Sequence, residues 1–471
     1  MSPYATHSVI RRTLLGTVLC ALTVASCGPR RPEVDRLVLV TIDTLRADHL
    51  SLFGYQFETS PFLDSLAAQG VTFTRAYAQV PTTAPSHTSI FTSLYPMQHG
   101  VLSNVQKLDD SFLTLAEALS EAGYETAAFV STNVHFRSGN IAQGFEVFDE
   151  HPVKKPRARR NRADKYRRAD TTIDAALQWL DGRDASQKLF LWIHLFDPHS
   201  PVQPPVAQRH EIEKQYKESG KRKFLKFLRP GHGKLKKNHY RKRIRKYDAE
   251  ILFADSQLRR LFEALNDPQS NDLWVVTSDH GQALYSHGRH GHSKQVYNTL
   301  LHVPLIFYSS TGQFSPAVID DVLVEHVDLV PTLAELMGFD FSDQRGETQG
   351  ESFAPRLFGE RVGRQKNFSI AQNSRYPQRF SRRNSASPLK LSLQTLESKF
   401  VLNTAADDEL YDLTEDPYEH QNLADAVDRQ IEREKLEQAL VRQVETLSIG
   451  ATGEEVDEET IERLRALGYL Q

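Results

Sequence analysis

With 471 residues, 39% of them hydrophobic and 25% charged, the chain has the balance of a globular protein with room for one large α/β domain and a smaller one. A net charge of −3 argues against a dedicated nucleic-acid binder. The two cysteines, Cys20 and Cys27, both fall in the first 27 residues, so the rest of the chain offers neither a disulfide nor a thiol nucleophile.

Taken in order, residues 1–27 read as an export signal: Arg11-Arg12, the apolar stretch TLLGTVLCALTVA, then Ser26-Cys27. Val24-Ala25-Ser26-Cys27 is similar to a bacterial lipobox, which predicts cleavage before Cys27, lipid on its sulfur and a place in the bacterial cell envelope, anchored to the membrane. The apolar stretch is short for a spanning helix, and a plain signal peptide or an uncleaved anchor are the alternative readings. The paired arginines are also compatible with twin-arginine export.

Leu37 to Ile42 reads as a strand buried on both faces and ends at Asp43. SPFLDSLAAQG has helical spacing, with Ser60 as its cap and Gly70 as its stop, and VTFTRAYA follows as a strand. Next comes Thr83, just ahead of Pro85 and the helix-compatible SHTSIFTSL. A hydroxyl there stands at a helix N-terminus, where free N–H groups and the helix dipole favour negative charge. That suits a nucleophile attacking a phosphate or sulfate ester; the plainer alternative is a helix cap.

Leu113 to Ala122 reads as a helix and Thr126 to Val130 as a strand, so the elements alternate as in a parallel sheet with helices on both faces. Leu189 to Leu195 delivers His194 and then Asp197-Pro198-His199, and Leu273 to Ser278 delivers Asp279-His280-Gly281. In open α/β sheets ligands collect outside the carboxyl ends of strands, and Asp43, His199, Asp279 and His280 all follow apolar runs in that way. Two basic runs interrupt the pattern, Lys154–Arg168 and Lys214–Lys246, the second leading into the helical YDAEILFADSQLRRLFEALN. Such runs form a solvated face or, close to a site, concentrate an anionic polymer or hold an acidic membrane surface.

Val303–Phe307 reads as a further strand. From near Asn367 a polar loop, the strand-like KLSLQTL, SKFVLN and DELYDL, and a charged helix from Ala424 to Leu447 suggest a smaller α+β unit. The expected division is therefore 1–27 export signal, 28–365 catalytic domain with basic insertions near 153–169 and 214–246, and 366–471 C-terminal subdomain.

These pieces together resemble the sulfatase-like branch of the alkaline phosphatase superfamily across nearly the whole chain after residue 27. VTIDTLRADHLSLFGY is similar to the first metal strand, and TAPSHTSIFTSLYP occupies the place of the signature Cys-x-Pro-Ser-Arg. FLWIHLFDPHSP resembles the substrate-binding histidine segment, and TSDHGQALYSHGRHGH with YNTLLHVPLIF the second metal loop and the strand after it. KFVLNTAADDELYDLTEDPYEHQNLA and ETIERLRALGYL resemble the C-terminal subdomain and tail. The resemblance implies an α/β, alkaline phosphatase-like fold, a large mostly parallel sheet between helices with a smaller C-terminal α+β subdomain.

It also implies one divalent metal ion bound by Asp43, Asp279 and His280 with the Thr83 oxygen as a further ligand, His199 and His292 as catalytic residues on the ester oxygens, and His87 and His194 as substrate contacts. Thr83 stands where sulfatases convert Cys or Ser to formylglycine, so no formylglycine is expected; His87 replaces the signature arginine, and Thr44 replaces a second metal aspartate. No Gly-Lys-x-His segment follows Phe129-Val130. Thr83, Asp279 and His280 also resemble the site of phosphoethanolamine transferases and lipoteichoic acid synthases. Two aspartates and a histidine favour Mn²⁺ or Zn²⁺, with Ca²⁺ as the alternative. The expected activity is hydrolysis of a sulfate or phosphate ester on a glycan or phospholipid, with no nucleic-acid partner. A phosphoethanolamine-type transferase and an inactive surface protein that binds anionic glycans are the alternatives.

Overall fold

The apolar run at Leu37–Ile42 forms the middle of a sheet. A computed structural model describes residues 33–132, 136–150, 166–219, 237–341, 348–361, 366–373 and 388–448. In it the run becomes β1 (Arg36–Ile42), hydrogen-bonded in parallel to β5 (Leu189–Leu195) on one side and β6 (Asp272–Thr277) on the other. Alternate residues of β1 enter two different cores. Leu37 and Leu39 pack with the helices Thr83–Thr92, Leu115–Glu121 and Leu329–Met337, while Val38 and Val40 pack with Pro61–Ala67, Ala169–Asp181 and Lys237–Leu265. A strand covered on both faces has no polar side, which is why the sequence shows a continuous apolar run there.

The remaining strands of this sheet are β2 (Val71–Tyr77), β3 (Glu125–Val130), β4 (Val147–Glu150), β7 (His302–Ser309), β8 (Ala317–Ile319) and β9 (Val324–Glu325). The spatial order is β4-β3-β5-β1-β6-β7-β2-β8, with β9 also pairing with β2. Only β7 among these described strands is antiparallel to its neighbours, β6 and β2. Two reversals restore the original direction, so β2 runs with β1 and its carboxyl end, followed by Thr83, opens on the same edge as Asp43 and Asp279. The sheet is the mostly parallel one expected, and the fold is alkaline phosphatase-like.

A second, antiparallel sheet of β10 (Ser369–Gln372), β11 (Lys390–Gln394), β12 (Ser398–Asn403) and β13 (Glu409–Asp412) follows. Leu440, Val444 and Leu447 of the helix Gln430–Ser448 pack with its Leu391, Leu393, Phe400 and Leu402. It meets the large sheet through the Gln372 N–H, donated to the Gln79 carbonyl at 2.8 Å, and the Ile370 N–H, donated to Glu325 Oε1 at 2.9 Å.

Three expectations differ in detail. Ser60 occupies the cap position of Pro61–Ala67, but its hydroxyl donates to Asp64 at 3.2 Å. The open N–H groups of Phe62 and Leu63 go instead to the Asp255 carboxylate of the long helix, at 3.0 and 2.9 Å. Two helices, Ala169–Asp181 and Val206–Glu218, arise where no element was expected. The described parts of the second basic run are helical, at the end of Val206–Glu218 and in the long helix from Lys237 onward. Most of the first basic run, residues 220–236 of the second, the export segment with Cys27, and the tail beyond residue 448 lie outside the described residues. Among the described residues no helix is long and apolar enough to cross a membrane.

Candidate active site

Asp43 extends β1 by one more ladder bond, its N–H donated to the Leu195 carbonyl at 2.8 Å. The chain then turns at Thr44, whose φ of 58° aims its N–H at Asp279 Oδ1, 3.0 Å away across the neighbouring strand end. Asp279 Oδ1 also accepts the His280 N–H at 2.8 Å. His280 Nδ1 lies 2.9 Å from the Gly281 carbonyl. A carbonyl only accepts, so the proton sits on Nδ1 and the Nε2 lone pair is left for the site. Gly281 itself is dictated by crowding, since a Cβ there would sit 2.3 Å from the Thr299 carbonyl oxygen.

Asp43, Asp279 and His280 each present a ligand atom within 4.8 Å of the others, and all three are fully buried. Both carboxylate oxygens of Asp43, Oδ2 of Asp279 and Nε2 of His280 have no hydrogen-bond partner among the described residues. Burial, then the charge of Asp279, raises the Asp43 pKa well above the usual range. Burial likewise pushes Asp279 up to about 6 and His280 down to about 3. Buried acceptors that converge without a donor are costly unless a cation lies between them. The donor set therefore fits a divalent metal.

Thr83 is the first residue of the helix Thr83–Thr92, after an extended Thr82 with φ −154°. Ser86, one turn on, donates its hydroxyl to the Asp279 carbonyl at 2.6 Å and so pins this helix to the end of β6. The Ala84 N–H goes to Asn104 Oδ1 at 2.9 Å. Thr83 is 2% exposed, and its side chain lies near enough to the Asp279 carboxyl to help hold down a pKa that burial raises. The structure thus brings the Thr83 side chain beside Asp279, one of the three metal-binding candidates.

His199 and His292 come together from opposite sides, Nε2 to Nε2 at 3.2 Å, and both are partly exposed. Their Nδ1 atoms meet the Ser200 and Pro81 carbonyls at 2.7 and 3.0 Å, so the protons sit there and two Nε2 lone pairs face one another. Burial and their mutual proximity, or that of His280, hold the pKa of each at about 3. The His292 ring lies 4.5 Å from that of His280, which places the pair beside the metal-binding candidates.

His87 and His194 were expected at the substrate, but both are fully buried behind the site. His87 Nδ1 donates to the Thr83 carbonyl at 2.8 Å, one helical turn back, and Nε2 meets Thr41 Oγ1 at 3.0 Å. The same Thr41 oxygen takes the Trp192 indole N–H and meets His194 Nδ1, each at 3.0 Å. His87 thus has both nitrogens committed within the protein, and His194 Nε2 points toward Asp43 Oδ2 at 3.8 Å.

Two supporting residues went unnoticed in the sequence. Tyr247 of the long helix accepts the Arg46 N–H at 3.0 Å and donates to the Thr44 carbonyl at 2.6 Å. Arg46 pairs with Asp48 at 2.6 Å and reaches the Gln282 carbonyl at 3.1 Å, so the loops after β1 and β6 are held together. A charged residue inside an apolar loop motif, and a hydroxyl opening an apolar helical stripe, were the available signals.

A mostly parallel sheet whose carboxyl edge gathers two aspartates, a histidine and a hydroxyl at the start of a helix defines an ester hydrolase of the alkaline phosphatase-like fold. The chain belongs to the sulfatase family, whose family model matches residues 35–339, and is a sulfuric or phosphoric ester hydrolase. It is 24% identical to the uncharacterised sulfatase YidJ of Escherichia coli, over 88% of this chain and 87% of that protein. It is 24% identical to a Δ4,5-hexuronate-2-O-sulfatase of Bacteroides thetaiotaomicron, over 85% of this chain and 87% of that one. Among solved structures, the phosphonate monoester hydrolase of Agrobacterium radiobacter superimposes with a TM-score of 0.72 at 19% identity, covering 88% of this chain and 96% of its own.

Proposed function

We propose that this protein is a metal-dependent hydrolase of a sulfate- or phosphate-type ester in which Thr83 is the nucleophile. The observation that carries the reading is the meeting of four unpartnered buried acceptors on Asp43, Asp279 and His280, with the Thr83 side chain beside Asp279. The imidazole donor favours Mn²⁺ or Zn²⁺ over Ca²⁺. When bound, the ion supplies positive charge that lowers the pKa of a nearby hydroxyl and offsets the charge of the ester oxygens.

Asp279, beside Thr83, takes the hydroxyl proton as the Thr83 oxygen attacks sulfur or phosphorus in line, and the alcohol leaves on the opposite side. The His199–His292 pair is neutral before substrate binds, its Nε2 lone pairs 3.2 Å apart; the negative charge of a bound ester favours uptake of one proton between the rings, which passes to the departing oxygen. Thr83 carries a methyl on Cβ, so its oxidation cannot give an aldehyde, and its ester has no second hydroxyl through which to collapse. Release therefore needs attack by water on the sulfur or phosphorus. His87, Thr41 and His194 hold the Thr83 carbonyl and back the Asp43 side of the site as positioning residues. Similarity to a Δ4,5-hexuronate-2-O-sulfatase supports an anionic sugar ester as the substrate class.

The test is a screen of metal-reconstituted protein against aryl sulfates, phosphate mono- and diesters and phosphonates. Multiple turnover of at least one ester is expected, with kcat/KM falling roughly 10³-fold or more in Thr83→Ala, as for loss of a covalent nucleophile. Failure to cleave any ester with any divalent metal would leave a binding protein on a hydrolase fold. We further propose that Cys27 carries the lipid that holds the enzyme at the envelope. Cys27→Ala should move it from the membrane to the soluble fraction, and an unchanged distribution rejects the anchor.

A further inference from the structure

The residues assigned so far deal with the ester group and leave the rest of the substrate without a partner. Several buried charges elsewhere among the described residues are answered: Lys366 meets Glu325, Lys399 meets Glu419, and His49 meets Asp248. Arg243 is different. It lies on the long helix Lys237–Leu265, is partly exposed, and pairs with no carboxylate among the described residues. Its Nη2 donates to Ser200 Oγ at 2.7 Å, and its guanidinium carbon stands 5.9 Å from the centre of the Tyr285 ring.

We propose that Arg243 and Tyr285, with His290 beside them, form a second anion subsite at the mouth of the active site. It takes a carboxylate or sulfate carried by the sugar on which the scissile ester sits. This deepens the hydrolase reading above and rests on it. Ser200 follows His199 directly and its carbonyl takes the His199 Nδ1 proton, so Arg243 stands one residue from the group that faces the ester. Tyr285 belongs to the loop between His280 and His292 and reaches Arg243 from the other wall. Leu284 and Tyr285 both have positive φ, 44° and 72°, a conformation that strains a side-chain-bearing residue and recurs where a loop serves a site. The His290 ring lies 5.2 Å from that of Tyr285, and the Arg243 charge adds to burial in depressing its pKa.

A serine hydroxyl does not neutralise a guanidinium. Arginine has five N–H donors in a planar fork, and the contact with Ser200 uses one, which leaves a pair suited to a two-oxygen anion. An aromatic ring next to that fork offers a flat apolar face to a pyranose ring, which favours an acidic sugar over a phospholipid headgroup. The spacing is also rigid. One turn beyond Arg243, Tyr247 holds Thr44 and Arg46 of the metal loop, so a single helix sets the distance from the second charge to the reacting ester.

The experiment measures binding of a disulfated, uronate-containing disaccharide by calorimetry, on Thr83→Ala protein so that nothing is consumed. Adding Arg243→Gln should weaken Kd at least tenfold and flatten its salt dependence, while Arg243→Lys should restore only part of the loss. Phenyl sulfate and phenyl phosphate, with no second charged group, should lose much less, so the disaccharide-to-phenyl affinity ratio falls tenfold. A ratio within twofold of the parent overturns the subsite and reduces Arg243 to a support for Ser200. Retention on anionic phospholipid vesicles that needs Arg243, with disaccharide binding indifferent to it, also overturns it, in favour of membrane contact. Arg243-dependent binding in a protein that cleaves no ester would sink the hydrolase and keep the subsite. Ester turnover with binding indifferent to Arg243 would do the reverse.

Discussion

Glu325 and Asp43 are equally buried carboxylates within one fold, and they are treated in opposite ways. Glu325 has the Lys366 ammonium against it, the Tyr95 hydroxyl at 2.8 Å and the Ile370 N–H at 2.9 Å. Glu419, at the small sheet, is likewise met by Lys399 at 2.7 Å and the Asn298 N–H at 2.7 Å. Both oxygens of Asp43 are without a hydrogen-bond partner, and its neighbour across the site is another aspartate. A chain that can supply a lysine or an amide wherever burial demands one has withheld them at a single edge of its sheet. The difference separates carboxylates that hold the fold from those that, on the proposed function, take a cation.

The hardest test of that contrast is Asp43→Asn. Bound metal, read by plasma emission, should fall from one per chain to near zero, and kcat/KM should drop roughly 10³-fold or more. The metal-free variant should nevertheless melt no lower than the metal-free parent, since a buried like-charge pair has been relieved; a clear fall in Tm would show that Asp43 is a structural anion after all.

Lys399→Met should behave in the opposite sense. It strands Glu419 in the interior and should cost about 3–5 kcal/mol in denaturant unfolding. Adding Glu419→Gln should recover most of that. A loss equal in the single and double variants would mean that packing, rather than charge pairing, carries the effect.

The smallest effect sharpens a third case. Glu250 faces Asp197, and burial followed by the Asp197 charge pushes its pKa up to about 10 from an ordinary 4.5. A carboxyl raised in the folded state binds its proton more tightly there than in the unfolded chain. Its contribution is complete below about 4.5 and is lost as pH climbs toward 10. Glu250→Gln, which keeps the shape without titrating, should match the parent near pH 5 and melt about 2 °C higher near pH 9. Parallel melting curves across that range would exclude a shared proton.

The parts of this arrangement that could be read from the sequence are those set by continuous burial. β1, β5 and β6 are apolar from end to end, so their limits and the Asp43, His194–His199 and Asp279-His280 that follow were legible within a residue or so. Thr83 at the start of its helix was legible from Pro85 in the first turn. Partnerships over long separations were not. Asp255 caps a helix almost two hundred residues away, and nothing near Ser60 announces it. His87 looked free for a substrate because a sequence does not show that Thr41, two strands distant, will occupy its Nε2. The helix Val206–Glu218 buries only Ile212, too little to print a period on its residues. The direction of β7 left no trace either, since a largely buried apolar strand reads the same both ways.

That reversed strand has a consequence for the loop that carries Asp279, His280 and His292. Because β7 runs against β6, residues 278–301 leave the sheet and rejoin it at the same rim, where a parallel successor would have obliged them to traverse its whole length. Both stumps of the excursion stay in register whatever its length. With Asp279 and His280 fixed at its start and His292 further on, the stretch between them, residues 281–291, can change in length and so in which molecules are admitted while the groups that do the chemistry keep their places.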